Sequence, residues 1–454
     1  MPSLRTTVAF LAVAAFALVV PRTLPAQRPE PPARSLERLA DEIAAEVESL
    51  RGWPFKTPVT KRRSTKEEAL RYIERRTEAG VPQGRLALQE AMLRTIGLIP
   101  PGMDLKATLL GLLENQVGGY YDPETRALYL VERPGGLPAV AERLILAHEL
   151  THALDDQYVG LERLMKELAN RSEDMDVVVS ALGEGSATGL MVQYLARLQA
   201  AGRLDMAALQ EYAAEETARS KPLLDAPPYF SALVASYVCG MQFLAKGNLI
   251  ALALAPDNKA FGESFLAAVK NPPRSTEQIL HPAKYWEGGT LDEPVVVDDR
   301  SVERWLSRPF LHLVHTDTLG EMLTAILTGP KDRRLDLTRM QQPGAWTSTA
   351  AAGWGGDRFF LLSEGATPDE ARRMRGRLRG VWLTAWDTAA DRDEWLAALP
   401  GSSLPAGHAA VPVADRAGVV FIGFADEERQ GLIAAMAQQP PAFARGGTPW
   451  SPAK

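Results

Sequence analysis

The chain has 454 residues, of which 46% are hydrophobic and 23% charged, with a formal net charge of -6 at pH 7. That is the profile of a globular protein with enough apolar material for two or three domains, and it excludes a disordered chain. The acidic balance argues against a nucleic-acid binder, and a single cysteine, Cys239, excludes an internal disulfide framework and a thiolate-only zinc site.

Arg5 precedes an uncharged apolar run, Val8–Val20, and Pro21 and Ala26 follow it. A positive start, a short apolar stretch and a small residue read as a signal peptide over residues 1–26. Thirteen apolar residues are too few for a bilayer span of about 20. Export to the periplasm or the outside is therefore expected, with an uncleaved N-terminal anchor as the alternative. Residues 27–34 are Pro-rich and read as a disordered leader.

From Ser35 to Asn115 the pattern is helical. Leu36, Leu39, Ile43, Val47 and Leu50 keep helical spacing, and Gly52 and Pro54 end that run. Thr65 with Glu68 predicts a capping box at the next helix start. Two further helices are expected near 83–96 and 104–115. The segment Gly119-Tyr-Tyr-Asp-Pro-Glu-Thr-Arg-Ala-Leu-Tyr-Leu-Val131 sets aromatic and aliphatic residues around a polar turn, which predicts a β-hairpin. Helices are then expected at 139–157, 174–199, 206–220, 229–245, 258–269 and 318–327. Strands at 359–362, 381–385 and 418–424, with helices at 391–399 and 426–436, predict a small α+β domain over 335–437. The tail, 438–454, is rich in Pro and Gly and reads as flexible. The fold class is α+β, mainly α: a helical domain over 35–330 with a β-hairpin edge, followed by the small C-terminal domain.

Chemistry concentrates in Leu146-Ala-His-Glu-Leu-Thr-His-Ala-Leu154. Residues four apart share a helix face, so His148 and His152 can hold one metal ion. Glu149 is turned about 100° from His148, so it can reach a metal-bound water without ligating the metal. Leu144, Ile145, Leu146, Ala147, Leu150, Ala153 and Leu154 make the helix apolar on most sides, and burying two histidines and a glutamate there calls for a partner. Downstream, Glu184 stands between Gly183 and Gly185 inside a predicted helix. Each glycine costs a helix interior about 1 kcal/mol, which points to a close backbone approach, expected here to the metal helix, and makes Glu184 the candidate third ligand, the alternative being a solvated glutamate at a helix kink.

HELTH, the GEGSAT segment and GYYDPETRALYLV together resemble the gluzincin zinc metallopeptidases, the thermolysin-like group. The longer strings HELTHALDDQ, PPRSTEQILHPAKY and GWGGDRF also look like an uncharacterised secreted bacterial group of HExxH proteins. The catalytic resemblance spans about 118–285, and the looser one extends to about 437. It implies a zincin-like helical catalytic domain, Zn2+ bound by His148, His152 and Glu184, Glu149 as general base, and a peptide or protein substrate. The chain departs from the thermolysin pattern in carrying Thr188 four residues after the glutamate ligand, where that pattern has aspartate. Asp155 and Asp156 are the candidates for orienting a histidine instead.

An oxyanion developing on the substrate needs donors. His281 is the first choice, with Tyr285 and Tyr237 behind it. His312, His315 and His408 read as ordinary structural histidines, Cys239 as a small buried residue, and Trp354 with Asp357 as a turn packed on the C-terminal domain. Two other functions use the same residues: a non-catalytic, metal-stabilised binding protein of the cell envelope, and a zinc hydrolase of non-peptide amides or esters.

Overall fold

A computed structural model describes residues 35–79, 84–114, 116–168, 171–287, 292–330, 339–340, 342–445 and 448–450. The signal peptide and leader expected over 1–34 lie outside the described residues, as do residues 451–454. The architecture is α+β and mainly helical. No helix among the described residues is long and apolar enough to cross a membrane.

Six helices, α1 to α6, frame the candidate centre. The first, α1 (Leu36–Arg51), starts at Ser35, whose side chain accepts from the Arg38 amide, and ends at Gly52 in the left-handed region at φ 75°. Its apolar stripe is buried, as its spacing predicts. The capping box at Thr65 and Glu68 forms, with reciprocal bonds of 2.9 and 3.2 Å.

Helix α2 (Ala139–Val159) is buried on nearly every side, and Gly160 closes it at φ 67°. Helix α3 (Glu173–Ala200) is capped by Ser172, and α4 (Ala232–Leu244) is buried throughout. With α2 they form the centre of the helical body, against which α5 (Lys259–Lys270) and α6 (Gly320–Thr328) pack.

The hairpin is present as β2 (Gly119–Asp122) and β3 (Ala127–Val131). Strand β1 (Thr60–Ser64) pairs parallel with β3, so the sheet order is β1-β3-β2 and β2 is an edge. The segment TKRRS has no apolar alternation. Backbone pairing to β3 makes it a strand inside a stretch expected to be helical.

The C-terminal sheet is antiparallel, in the order β5-β6-β7-β9-β8. Its strands are β5 (Leu311–Asp317), β6 (Trp354–Glu364), β7 (Leu378–Trp386), β8 (Ala409–Ala414) and β9 (Ala417–Ile422). It therefore begins at 311, earlier than the expected 335. Side chains alternate across it. Phe359, Leu361 and Trp382 join the core of the helical body, whereas Phe360, Leu362 and Leu383 face a second core with Val295 and Trp305. One face of the sheet thus shares the core of the helical body, and the other face closes a second, smaller core. The tail expected to be flexible folds back: β10 (Phe443–Arg445) pairs antiparallel with both β4 (Val295–Val297) and β11 (Thr448–Trp450). Phe443 is buried.

Trp354-Gly-Gly-Asp357 is the start of strand β6 instead of a turn. The buried Asp357 carboxylate accepts from the Leu319 and Gly320 amides, both at 2.9 Å, and from Trp354 Nε1 at 2.9 Å. It thereby satisfies orphan donors at the start of α6 and ties the sheet to the helical body.

Candidate metal centre

One turn of α2 separates His148 from His152, and their rings meet edge to face with centroids 4.7 Å apart. Glu184 comes from α3 across the α2–α3 packing. His148 Nε2 stands 3.1 Å from His152 Nε2 and 3.3 Å from Glu184 Oε2, and His152 Nε2 stands 3.5 Å from Glu184 Oε2. Three electron-rich atoms therefore converge on one point in the interior.

The donor set and spacing fit a zinc ion. Tetrahedral bonds of about 2.0–2.1 Å hold ligand atoms about 3.3 Å apart, and two imidazoles with one carboxylate leave a fourth position open. The three residues are between 0 and 4% exposed. Burial disfavours the charged His152 ring, but the Glu184 carboxylate outweighs it and pushes the ring up to about 9. Burial also opposes ionisation of Glu184, yet His152 and His148 hold its carboxyl below the usual range. Burial holds His148 below the ordinary histidine value.

Glu149 lies under β2. A Cβ on Gly119 would stand 3.3 Å from Glu149 Cγ. Its Oε2 is buried without a hydrogen-bond partner among the described residues. Burial pushes this carboxyl up to about 8, against the pull of His152. An unsatisfied carboxylate oxygen beside a converging ligand triad is the arrangement a proton-transfer group needs.

Glycines flank Glu184 for a different reason from the one expected. A Cβ on Gly185 would stand 2.3 Å from the Gly240 carbonyl carbon, whereas one on Gly183 would meet nothing within 4 Å. The close approach is to α4, not to the metal helix.

Neither aspartate after the motif orients a histidine. Asp155 is held by Arg51 and Ser186. Asp156 accepts from the Tyr121 hydroxyl at 2.9 Å and from the Leu161 amide at 2.8 Å. His148 Nδ1 is buried without a partner among the described residues, and so is Thr188 Oγ1.

His281 is also elsewhere: its Nε2 stands 2.9 Å from the buried Glu321 carboxylate of α6. Tyr285 donates to the Asn271 carbonyl and packs on Phe243 and Trp286. Of the three residues proposed as oxyanion donors, Tyr237 is the one beside the triad. It is buried on α4, with its ring centroid 6.1 Å from that of His148.

His312 and His315 bond to the Gly365 carbonyl and the Asp317 carboxylate, and His408 to the Pro405 carbonyl. Cys239 is buried, and burial pushes its thiol up. Glu277, Asp292 and Asp387 also cluster. Lys284 Nζ fills that cluster, at 2.5, 2.8 and 3.0 Å from the three carboxylates.

The sequence pattern missed Arg51, Ser186 and Asn258, which bond together behind the triad. Its one signal was position: Arg51 follows Val47 by four residues and so lies on the buried stripe of α1.

A family model described as a domain of unknown function, DUF8575, matches residues 308–431. That is well under half of the chain. It covers the C-terminal sheet and leaves the triad outside. No curated protein and no solved structure matches the chain.

Proposed function

We propose that the protein is an exported zinc-dependent metallopeptidase of the gluzincin kind, hydrolysing peptide bonds in peptide or protein substrates. One observation carries the reading: two imidazole nitrogens and a carboxylate oxygen converge at 3.1–3.5 Å beside the unpartnered Oε2 of Glu149. His148, His152 and Glu184 would hold the ion. When bound, zinc supplies Lewis acidity toward a carbonyl oxygen and toward water.

The rest of the chemistry belongs to the chain. Glu149 Oε2, buried and without a hydrogen-bond partner among the described residues, can take a proton from the attacking water and hand it to the leaving nitrogen. Strand β2 is the edge of its sheet and runs over Glu149, but its four residues are buried, so pairing of an extended substrate along it by β-augmentation requires that edge to be uncovered first. Tyr237 replaces His281 as the candidate donor to the oxyanion, because its ring lies beside His148. The apolar run Val8–Val20 after Arg5 supports export.

The deep burial of the four residues favours a second reading, a non-catalytic protein stabilised by its metal. The Glu149→Gln variant separates the two. The metallopeptidase reading expects about one zinc per chain in both proteins, cleavage of unfolded casein by the wild type, and loss of about 100-fold or more of that rate in the variant. Equal rates, or wild-type protein without stoichiometric zinc, defeat it. Zinc with hydrolysis of esters or small amides but not of casein points to the non-peptide hydrolase.

A further inference from the structure

Arg51, the last residue of α1, buries its guanidinium completely. Its Nη2 donates to both oxygens of Asp155, at 2.7 and 3.0 Å, and to Ser186 Oγ at 2.5 Å. Ser186 Oγ donates in turn to Asp155 Oδ2 at 2.6 Å. Its Nη1 donates to Asn258 Oδ1 at 2.5 Å, and the Asn258 amide donates to the Leu50 carbonyl at 2.8 Å. Trp53 stacks on the guanidinium at 5.0 Å. Gly262 of α5 keeps the space open, since a Cβ there would stand 2.8 Å from Arg51 Cδ.

The location of the two acceptors matters. Asp155 stands three residues after His152 on α2, and Ser186 two residues after Glu184 on α3. One cation from the N-terminal helix therefore grips both helices that carry the ligand triad, each within a turn of its ligand. Apolar side chains of similar volume would stabilise such a junction about as well, because a buried ion pair barely repays its desolvation. The planar fork adds direction: it fixes where the Asp155 and Ser186 oxygens stand relative to each other.

We propose that Arg51 is a positioning residue for the metal centre, setting the spacing between His148 and His152 on one helix and Glu184 on the other through Asp155 and Ser186. The inference rests on the metal reading above. It assigns α1 to the site itself, so cutting away Leu36–Arg51 destroys metal binding instead of unmasking an activity.

The test uses the full chain and three readouts: zinc affinity by competition with a chromophoric chelator, the d–d spectrum of the Co2+-loaded protein, and the thermal midpoint of the metal-free protein. Arg51→Lys keeps the charge and loses the fork, and Ser186→Ala removes one bridging hydroxyl. Each is expected to weaken zinc binding about 10-fold or more, in the range found for groups that orient metal ligands, and to change the Co2+ spectrum. A merely structural clamp would lower the thermal midpoint and leave both metal readouts alone. Folded variants with wild-type affinity and spectrum therefore overturn the proposal. If Arg51→Lys does not fold, Ser186→Ala decides alone. Wild-type protein that binds neither Zn2+ nor Co2+ sinks the metal reading itself, and is distinguished from failure of the clamp by that control.

Discussion

Gly185 of α3 and Gly240 of α4 touch backbone to backbone. A Cβ on Gly185 would stand 2.3 Å from the Gly240 carbonyl carbon, and one on Gly240 would stand 1.9 Å from the Ala181 carbonyl oxygen. No flexible side chain can yield there, so any larger residue must push the helices apart. Glu184 lies one residue from this contact. Gly185→Ala is expected to destabilise the metal-free protein by about 1–3 kcal/mol, the cost of overpacking, and to weaken zinc binding. Gly183→Ala is the control. Its Cβ meets nothing within 4 Å, so helix propensity dominates and stability should stay level or rise by up to about 1 kcal/mol. Urea unfolding of both variants checks the pair, and the idea fails if they move together.

Two of the three candidates for oxyanion stabilisation separate cleanly in space. Tyr237 lies beside His148, while His281 is bonded to Glu321 of α6. Tyr237→Phe removes only the hydroxyl and is expected to lower the turnover number by about 100-fold, the scale of losing one oxyanion donor, with zinc content unchanged. His281→Gln keeps a hydrogen-bonding group toward Glu321 and should leave turnover within about 2-fold of wild type. Steady-state kinetics on a fluorogenic peptide measures both. Reversed effects would restore His281 to the site.

The parts of the centre that depend on local spacing were legible in the sequence. His148, Glu149 and His152 follow from helical periodicity, and the hairpin from its polar turn. Glu184 was found through its glycines, although Gly185 answers to α4 and not to α2. The clamp was not legible because Arg51, Asp155 and Ser186 meet only once three helices have packed, at sequence separations of 104 and 135 residues. Among the strands, β6, β7 and β9 carry runs of large apolar residues and were predicted. Strand β8 contains Pro412, β5 is broken by His312 and His315, and β1 is almost entirely polar. Their partners in the sheets decide their conformation, and a single strand's composition does not disclose its partners.

Away from the triad, Asp174 couples folding to pH. Its buried carboxylate accepts from the Thr276 amide at 3.0 Å and the Thr276 hydroxyl at 2.5 Å. Burial pushes the carboxyl up to about 7, against those bonds, and Asp357 close by is pushed up to about 6. An unfolded aspartate titrates near 3.9. Between about pH 4 and pH 7 the folded chain therefore holds protons that the unfolded chain has released, so stability falls as pH rises through that window and levels off above it. Asp357 acts in the same direction and does not cancel the effect. Asp174→Asn keeps an acceptor for Thr276 and removes the titration. In metal-free protein the wild-type urea midpoint is expected to drop between about pH 5 and pH 7.5, and the drop should shrink in the variant. Parallel midpoints for the two proteins across that range would mean that Asp174 is ionised in the folded state throughout, and that Thr276 holds its charge more strongly than burial opposes it.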